Sequence, residues 1–174
     1  MSFRALYPLS LILIGACNGP PPPESTTPGV ASFTVTSGAG PARVVAGDVV
    51  AVTIRATLDS GWKIYSLTQQ PGGPTPLSFA VAPAPLFQLA AQATGPAAKV
   101  QRDATFGIDT ETYDGAPSFV VPIRVADSAA AGRRTIEMTV KSQACSDTVC
   151  LDAETTTLKV PVIIVRKYRP SPAA

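Results

Sequence analysis

Residues 50–58 read Val-Ala-Val-Thr-Ile-Arg-Ala-Thr-Leu, and their pattern gives the clearest indication of the fold class. Apolar side chains occupy every even position from 50 to 58, whereas Thr53, Arg55 and Thr57 lie between them. Successive side chains of a β-strand point to opposite faces of its sheet. The alternation therefore predicts a strand with one buried face and one exposed face.

The same two-residue alternation recurs along most of the chain. It is found in Phe33 and Val35, in Phe119, Val121, Ile123 and Val125, in Ile136, Met138 and Val140, and in Leu158, Val160, Val162 and Ile164. Turns rich in glycine, proline and aspartate separate these runs, and no long run shows a convincing helical stripe. The pattern predicts an all-β domain over residues 30–166, an immunoglobulin-like antiparallel β-sandwich of roughly seven or more strands. Pro122 and Pro161 interrupt two runs and are predicted to lie at sheet edges or bulges.

The N-terminal segment predicts export. Arg4, an apolar stretch over residues 6–14 and small residues before Cys17 are typical of a bacterial lipoprotein signal peptide of residues 1–16. The apolar stretch is shorter than the roughly 20 residues that a membrane-spanning helix needs. An ordinary signal peptide and a short membrane anchor are the alternatives. If the lipoprotein interpretation holds, Cys17 is acylated and anchors the protein to a membrane.

The residues on either side of the domain are predicted to be a spacer and a tail. Residues 17–29 are rich in proline and favour an extended conformation, which would hold the domain away from the membrane. Asn18 follows the acylated cysteine and favours the outer membrane over the inner membrane. Residues 167–174 are predicted to be a solvated tail. The domain would face the periplasm, where disulfides form and persist.

Several classes of function are excluded by composition. The chain has no histidine, which rules out a Ser-His-Asp triad, a histidine-activated cysteine and the usual histidine-bearing metal sites. Its 14 basic and 12 acidic residues give no basic excess that would suggest nucleic acid. No cofactor and no metal site are predicted. Two thiolates alone could hold Cu(I), so a copper-handling lipoprotein is kept as a weaker alternative.

The segment over residues 143–151 carries the chemistry that remains. Cys145 and Cys150 are the only cysteines besides Cys17, and four residues separate them. We predict that they close a disulfide at the end of a hairpin with arms at residues 135–144 and 155–165. From the residues alone, this bond is either a structural cross-link or a site of thiol–disulfide exchange.

Local charge also enters the prediction. Asp147 and Asp152 lie close to the cysteines, and Lys141 is the nearest basic residue in sequence. This balance predicts that the thiolate form is disfavoured. The reduced pair would then be a weak nucleophile on its own and would become reactive when the surface of a partner approaches it.

An ordered set of motifs resembles the N-terminal periplasmic domain of the thiol:disulfide interchange protein DsbD family. The set consists of Gly61-Trp62-Lys63-Ile64-Tyr65, Phe106-Gly107 with Tyr113 beyond it, Phe119-Val120-Val121-Pro122-Ile123, Ala144-Cys145 and Cys150. The resemblance implies an immunoglobulin-like sandwich that receives electrons from a thioredoxin-like domain. It also implies that these electrons pass to exported disulfide-carrying proteins.

The resemblance implies roles for individual residues. Cys150 would be the attacking thiol and Cys145 the resolving thiol. Phe106 would match a cap-loop phenylalanine that shields the pair, and Tyr65 and Tyr113 would match aromatic positions near the site.

The chain also departs from the family. Well-known members have one more residue between the cysteines, and an aromatic residue and prolines after the second, where this chain has Leu151-Asp152-Ala153. Ala104-Thr105 replaces an acidic pair before the cap phenylalanine. We expect the membrane electron transporter and the thioredoxin-like domain to be separate proteins. The alternative function is a lipid-anchored, non-catalytic binding or assembly module with a structural disulfide.

Overall fold

The computed structural model describes residues 29–36, 40–103 and 106–167, and the regular structure in these ranges is entirely strand. The predicted signal peptide, Cys17, almost all of the predicted spacer and most of the predicted tail lie outside the described residues. The strands are β1 (Ala31–Val35), β2 (Ala42–Val45), β3 (Val49–Leu58), β4 (Lys63–Tyr65), β5 (Ser78–Val81), β6 (Phe87–Leu89), β7 (Lys99–Asp103), β8 (Ile108–Asp114), β9 (Ser118–Val125), β10 (Gly132–Ser142), β11 (Ala144–Cys145) and β12 (Glu154–Val165).

The strands form three four-stranded sheets. Their orders are β1-β3-β9-β6, β2-β12-β10-β5 and β11-β4-β8-β7. The predicted all-β sandwich is confirmed, with more strands than the predicted minimum. One pair departs from the antiparallel prediction, because β2 runs parallel to β12.

The core lies between the first two sheets, whose apolar faces belong to one buried cluster. In β3 the even positions from 50 to 58 are buried, as the alternation predicts. Ile123 of β9 and Met138 of β10 are completely buried. Burying a side chain of this size stabilises a fold by about 1.5–3 kcal/mol. The predicted apolar faces of β9, β10 and β12 are likewise confirmed.

The two prolines lie neither in edge strands nor at bulges, because the β3–β9 and β10–β12 registers run through them unbroken, so that prediction is wrong. β9 lies between β3 and β6, and β12 lies between β2 and β10. The carbonyl of Pro122 accepts a hydrogen bond from the N–H of Ala90, just past the end of β6, so the proline nitrogen also faces this side. Pro161 comes one residue before the pairing of β12 with β2 begins. Each proline lies one residue outside the range where its strand pairs with the shorter neighbour, and there the missing N–H is tolerated.

The hairpin of β10 and β12 leads to the cysteines. Its register runs from Gly132 opposite Ile164 to Ser142 opposite Glu154, which confirms the two predicted arms. The first arm ends two residues earlier than predicted. The side chain of Gln143 accepts a hydrogen bond from the N–H of Thr75 at 2.8 Å and donates one to the carbonyl of Leu151 at 3.0 Å. After it, the chain enters β11, which pairs with β4 in the third sheet.

Candidate functional site

The two cysteines form a disulfide where the chain leaves the β10–β12 hairpin. Cys145 is the last residue of β11, and Cys150 lies directly opposite it in an antiparallel bridge. Their Sγ atoms are 2.07 Å apart and their Cα atoms 4.0 Å apart. The predicted bond at the hairpin end is confirmed.

The four residues between the cysteines form a tight turn held by Ser146. Its hydroxyl accepts hydrogen bonds from the N–H groups of Thr148 at 3.2 Å and Val149 at 3.1 Å. Its own N–H donates to the carbonyl of Val149 at 2.8 Å. Serine side chains commonly stabilise turns by bonding to the backbone two or three residues further on. The turn therefore has internal hydrogen bonds besides the disulfide.

The two cysteines differ sharply in exposure. Cys145 is only 1% exposed, whereas Cys150 belongs to the exposed surface. Thiol–disulfide exchange requires a thiolate to approach one sulfur of the bond and to expel the other. Of the two cysteines, Cys150 is therefore the one that is accessible from solvent.

A lysine that the sequence analysis did not single out lies beside the pair. Lys63 of β4 is directly opposite Cys145 in the third sheet. Its Nζ lies 3.3 Å from Oδ1 of Asp147, in the turn between the cysteines. Lys141 is nearer in sequence, but the fold brings Lys63 to the disulfide. The charge balance predicted from neighbouring residues in sequence therefore omitted Lys63, a cation close to the disulfide.

Tyr65 lies on the same face of the third sheet as Cys145. It follows Lys63 by two residues in β4, so both side chains project from one face. It is only 1% exposed. Burial raises the pKa of the Tyr65 hydroxyl, and the carboxylate of Asp103 raises it further.

Tyr113 lies on the opposite face of this sheet. It pairs with Ile64, which in turn pairs with Ala144. Its ring packs edge-on against Phe119, with ring centroids 5.1 Å apart. Burial raises the pKa of the Tyr113 hydroxyl, and a hydrogen bond with the backbone of Leu67 partly offsets this effect. The structure thus places Tyr113 in the core cluster rather than on the face that carries Cys145.

Phe106 lies in the turn between β7 and β8, where its N–H donates to the Asp103 carboxylate at 3.2 Å. Its side chain is 36% exposed. The turn follows the pair of Asp103 and Ile108, whereas Asp114, at the other end of β8, pairs with Lys63. These ends are about 20 Å apart along a straight strand. The structure thus places Phe106 at the end of β8 that lies away from Lys63.

Comparison with known proteins identifies the family. A family model for the N-terminal part of the thiol:disulfide interchange protein DsbD matches residues 32–161. The chain belongs to this family. The comparison with curated protein sequences found no match.

Two solved structures are similar to this member of the DsbD N-terminal family. One is the DsbD N-terminal domain of Neisseria meningitidis in its reduced form, with 20% identity and a TM-score of 0.46 over 67% of this chain and 78% of that chain. The other is the N-terminal periplasmic domain of ScsB from Proteus mirabilis, with 19% identity and a TM-score of 0.51. That alignment covers 76% of this chain and 46% of the ScsB chain, so this chain spans less than half of it. The ScsB likeness supports the fold, and the family match supports thiol–disulfide interchange.

Sequence reasoning also missed a polar cluster on the other side of the third sheet. The hydroxyls of Ser66 and Thr68 both donate to Oε2 of Glu111. These hydrogen bonds, the one from Thr68 first, hold the pKa of Glu111 below its ordinary value, although burial opposes them. Glu111, Thr68 and Tyr113 line a cavity of about 640 Å³. No local motif marks this cluster, because more than 40 residues separate Glu111 from its two partners.

Residues 29–36, 40–103 and 106–167 contain neither a cluster of metal-ligating residues nor a membrane-spanning helix. In these ranges, no group of three or more cysteine, aspartate or glutamate residues is arranged to hold a metal ion. The same ranges contain no helix with the length and apolar character needed to cross a membrane.

Proposed function

We propose that this member of the DsbD N-terminal family relays electrons between periplasmic proteins through Cys145 and Cys150. The donor is a thioredoxin-like protein or a membrane electron transporter, and the acceptors are exported disulfide-carrying proteins. The observation that carries the proposal is the disulfide with one exposed and one buried cysteine, which closes the base of a tight turn. The turn has its own hydrogen bonds, so the disulfide is not its only support.

In the loading half of the relay, the oxidised protein takes up two electrons. A donor thiolate attacks Sγ of Cys150, and a disulfide forms between the donor and Cys150. The bond between the two cysteines breaks, and its electron pair remains on Sγ of Cys145 as a thiolate. The second thiolate of the donor then attacks the donor sulfur of the mixed disulfide and releases Cys150. The donor leaves as a disulfide.

In the delivery half, the reduced protein passes the two electrons on. The thiolate of Cys150 attacks the disulfide of the acceptor and expels one acceptor thiolate. Cys145 then attacks Sγ of Cys150, which releases the second acceptor thiolate and restores the disulfide. Cys150 is the cysteine that bonds to the donor during loading and to the acceptor during delivery, so its exposure suits the attacking role. Cys145 reacts only with Cys150, so its burial suits the resolving role.

The surroundings of Cys150 suit a protein partner. Val149 and Leu151, on either side of it, are 50% and 38% exposed. Apolar side chains that remain exposed often mark interaction sites when they lie together. We expect the partner to cover them when it engages Cys150.

We further propose that Phe106 shields the pair until a partner displaces it, and that Tyr65 and Tyr113 support the site. Phe106 supports this proposal because it is partly exposed and lies in a turn of the same sheet as Cys145. Tyr113 would act indirectly, through its packing under the strand that pairs with β11.

The proposal also includes the predicted anchor and location. The lipoprotein-like residues 1–16 and Cys17 support acylation, and Asn18 favours the outer membrane. The protein would then face the periplasm, the compartment named for the similar ScsB domain. Residues 17–29 would give the domain reach toward donors and acceptors.

Trapping of mixed disulfides tests the relay. Cys145→Ala removes the resolving thiol, so it should accumulate a mixed disulfide between Cys150 and the natural partner. Cys150→Ala should accumulate little, and the variant with both substitutions provides the matched background. Non-reducing gels followed by mass spectrometry would identify the trapped protein. Equal trapping by both single variants would refute the assigned order of attack, and trapping by neither would favour a structural disulfide.

A further inference from the structure

In the proposed relay, the sulfur that leaves during reduction is the buried Sγ of Cys145, and burial disfavours the negative charge that it must carry. When a donor thiolate attacks Cys150, negative charge develops on Sγ of Cys145, which is only 1% exposed. Burial in apolar surroundings raises the pKa of a thiol, and a thiol of higher pKa is a poorer leaving group. A relay through this pair therefore needs a group that stabilises the thiolate of Cys145.

We propose that Lys63 is the positioning residue that stabilises the thiolate of Cys145, an inference that rests on the relay function proposed above. Lys63 and Cys145 are direct cross-strand partners, so their Cβ atoms lie about 4.5–5.5 Å apart on one face. A lysine ammonium beside a thiol lowers the pKa of that thiol, and this pairing places the Lys63 side chain on the same face as Cys145. The ammonium would assist the departure of Cys145 during loading and its attack on Cys150 during delivery.

Asp147 opposes this effect. Its carboxylate lies 3.3 Å from Nζ of Lys63, and its side chain is 94% exposed. It holds the lysine over the turn that contains Cys150, and it also neutralises part of the lysine charge. A partner that contacts this exposed carboxylate would release more of the charge toward Cys145.

Other charged or titratable groups belong to the strands and the segment that flank the two cysteines. They are Tyr65 in β4, Asp114 in β8, Asp152 beyond Cys150, Lys141 in β10 and Glu154 in β12. Asp114 is opposite Lys63 but forms an ion pair with Lys99. Lys63, and not Lys141 or Lys99, is the cation paired with Cys145 across the ladder.

The inference predicts opposite effects for the two halves of one ion pair. Lys63→Met removes the cation, so the disulfide should be reduced more slowly. Asp147→Asn breaks the same ion pair but leaves the cation unneutralised, so reduction should be faster. Lys63→Arg keeps the charge and should restore most of the rate. If the ion pair had only a structural role, Lys63→Met and Asp147→Asn would change the rate in the same direction.

The rate of reduction of the full chain by dithiothreitol measures this effect, because the reagent replaces the unidentified donor. A thiol pKa change of about one unit, with a Brønsted slope near 0.5, changes the rate by about threefold. We expect at least this slowing for Lys63→Met and a smaller acceleration for Asp147→Asn. Lys159→Met removes an exposed lysine of β12 and serves as the matched control, with an unchanged rate.

The thiolate itself gives a second measurement. In Cys17→Ser/Cys150→Ser, Cys145 is the single remaining thiol, and its thiolate absorbance can be titrated against pH. Adding Lys63→Met should move this titration to higher pH by about one unit, and Lys63→Arg should not.

An unchanged titration in Lys63→Met, or slower reduction in both Lys63→Met and Asp147→Asn, would overturn the inference. These results are independent of partner trapping. If Cys145→Ala traps no partner while the variant rates still diverge, the relay fails and the role of Lys63 in the local chemistry stands.

Discussion

Removal of the disulfide tests whether it is a redox-active bond or a structural cross-link. The bond closes a loop with a sequence separation of 5. The chain-entropy relation gives about 2 kcal/mol for a closed loop of about six residues at 25 °C. The Ser146 hydrogen bonds do not involve either sulfur, so they can persist without the bond. We expect Cys145→Ala/Cys150→Ala to fold and to lose about 2 kcal/mol of unfolding free energy.

Urea denaturation followed by circular dichroism would measure this loss. The double variant should coincide with wild-type protein reduced by dithiothreitol, because neither has the cross-link. Ile123→Ala provides a core reference, since Ile123 is completely buried and its truncation should cost about 2–5 kcal/mol. The slope of unfolding free energy against urea should stay the same in the double variant.

A much larger loss would refute this reasoning. If the reduced wild type and the double variant both lost more than about 4 kcal/mol, or failed to fold, the bond would be a structural cross-link. A large loss in the double variant alone would instead indicate that alanine at the buried position 145 disturbs the packing. The reduced wild-type protein therefore decides between the two explanations.

Three further predictions concern the cap, the acidic cluster and the anchor. Phe106→Ala should speed the reaction of the reduced cysteines with iodoacetamide and lower the unfolding free energy by about 1–2 kcal/mol. The control Val100→Ala, on the same hairpin, should leave the reaction rate unchanged. Equal rates for Phe106→Ala and wild type would show that Phe106 does not shield the cysteines. The lowered pKa of Glu111 means that its ionised form stabilises the fold above the unfolded pKa and that this stability disappears as pH falls through the folded pKa. Glu111→Gln should therefore destabilise the protein at neutral pH, and its difference from wild type should vanish in acid; a constant difference in urea titrations across this range would contradict the assignment. Cys17→Ser should move the protein from the membrane fraction to the soluble fraction and block processing by lipoprotein signal peptidase, and an unchanged membrane fraction would show that another segment anchors it.

The strands of the sandwich could be predicted because their signal is local. The alternation at residues 50–58 depends only on which side chains face the core, and each even position is buried in β3. Whether the two prolines lie in edge strands or inside the sheets could not be predicted in the same way. Whether Pro122 disrupts a sheet depends on where the neighbouring strand β6 ends, and that is set by residues far away in sequence.

The candidate site shows the same division. The proximity of Cys145 and Cys150 follows from their short separation in sequence, so the bond could be predicted. Their unequal exposure could not, because it arises where the chain leaves the β10–β12 hairpin and β11 joins the third sheet. Gln143 fixes that departure through hydrogen bonds to Thr75 and Leu151, and one of these partners is 68 residues away.

The same change of sheet brings Lys63 to the cysteines. Pairing of β11 with β4 sets Lys63 opposite Cys145 on one side, while the turn returns Cys150 opposite Cys145 on the other. A cation, a buried sulfur and an exposed sulfur therefore form one row across neighbouring segments. A shift of one residue in the register of β11 would place Ala144 opposite Lys63 and turn Cys145 to the core face. The reactivity of the pair thus depends on strand register, which explains why a charge count from neighbouring residues in sequence missed its main cation.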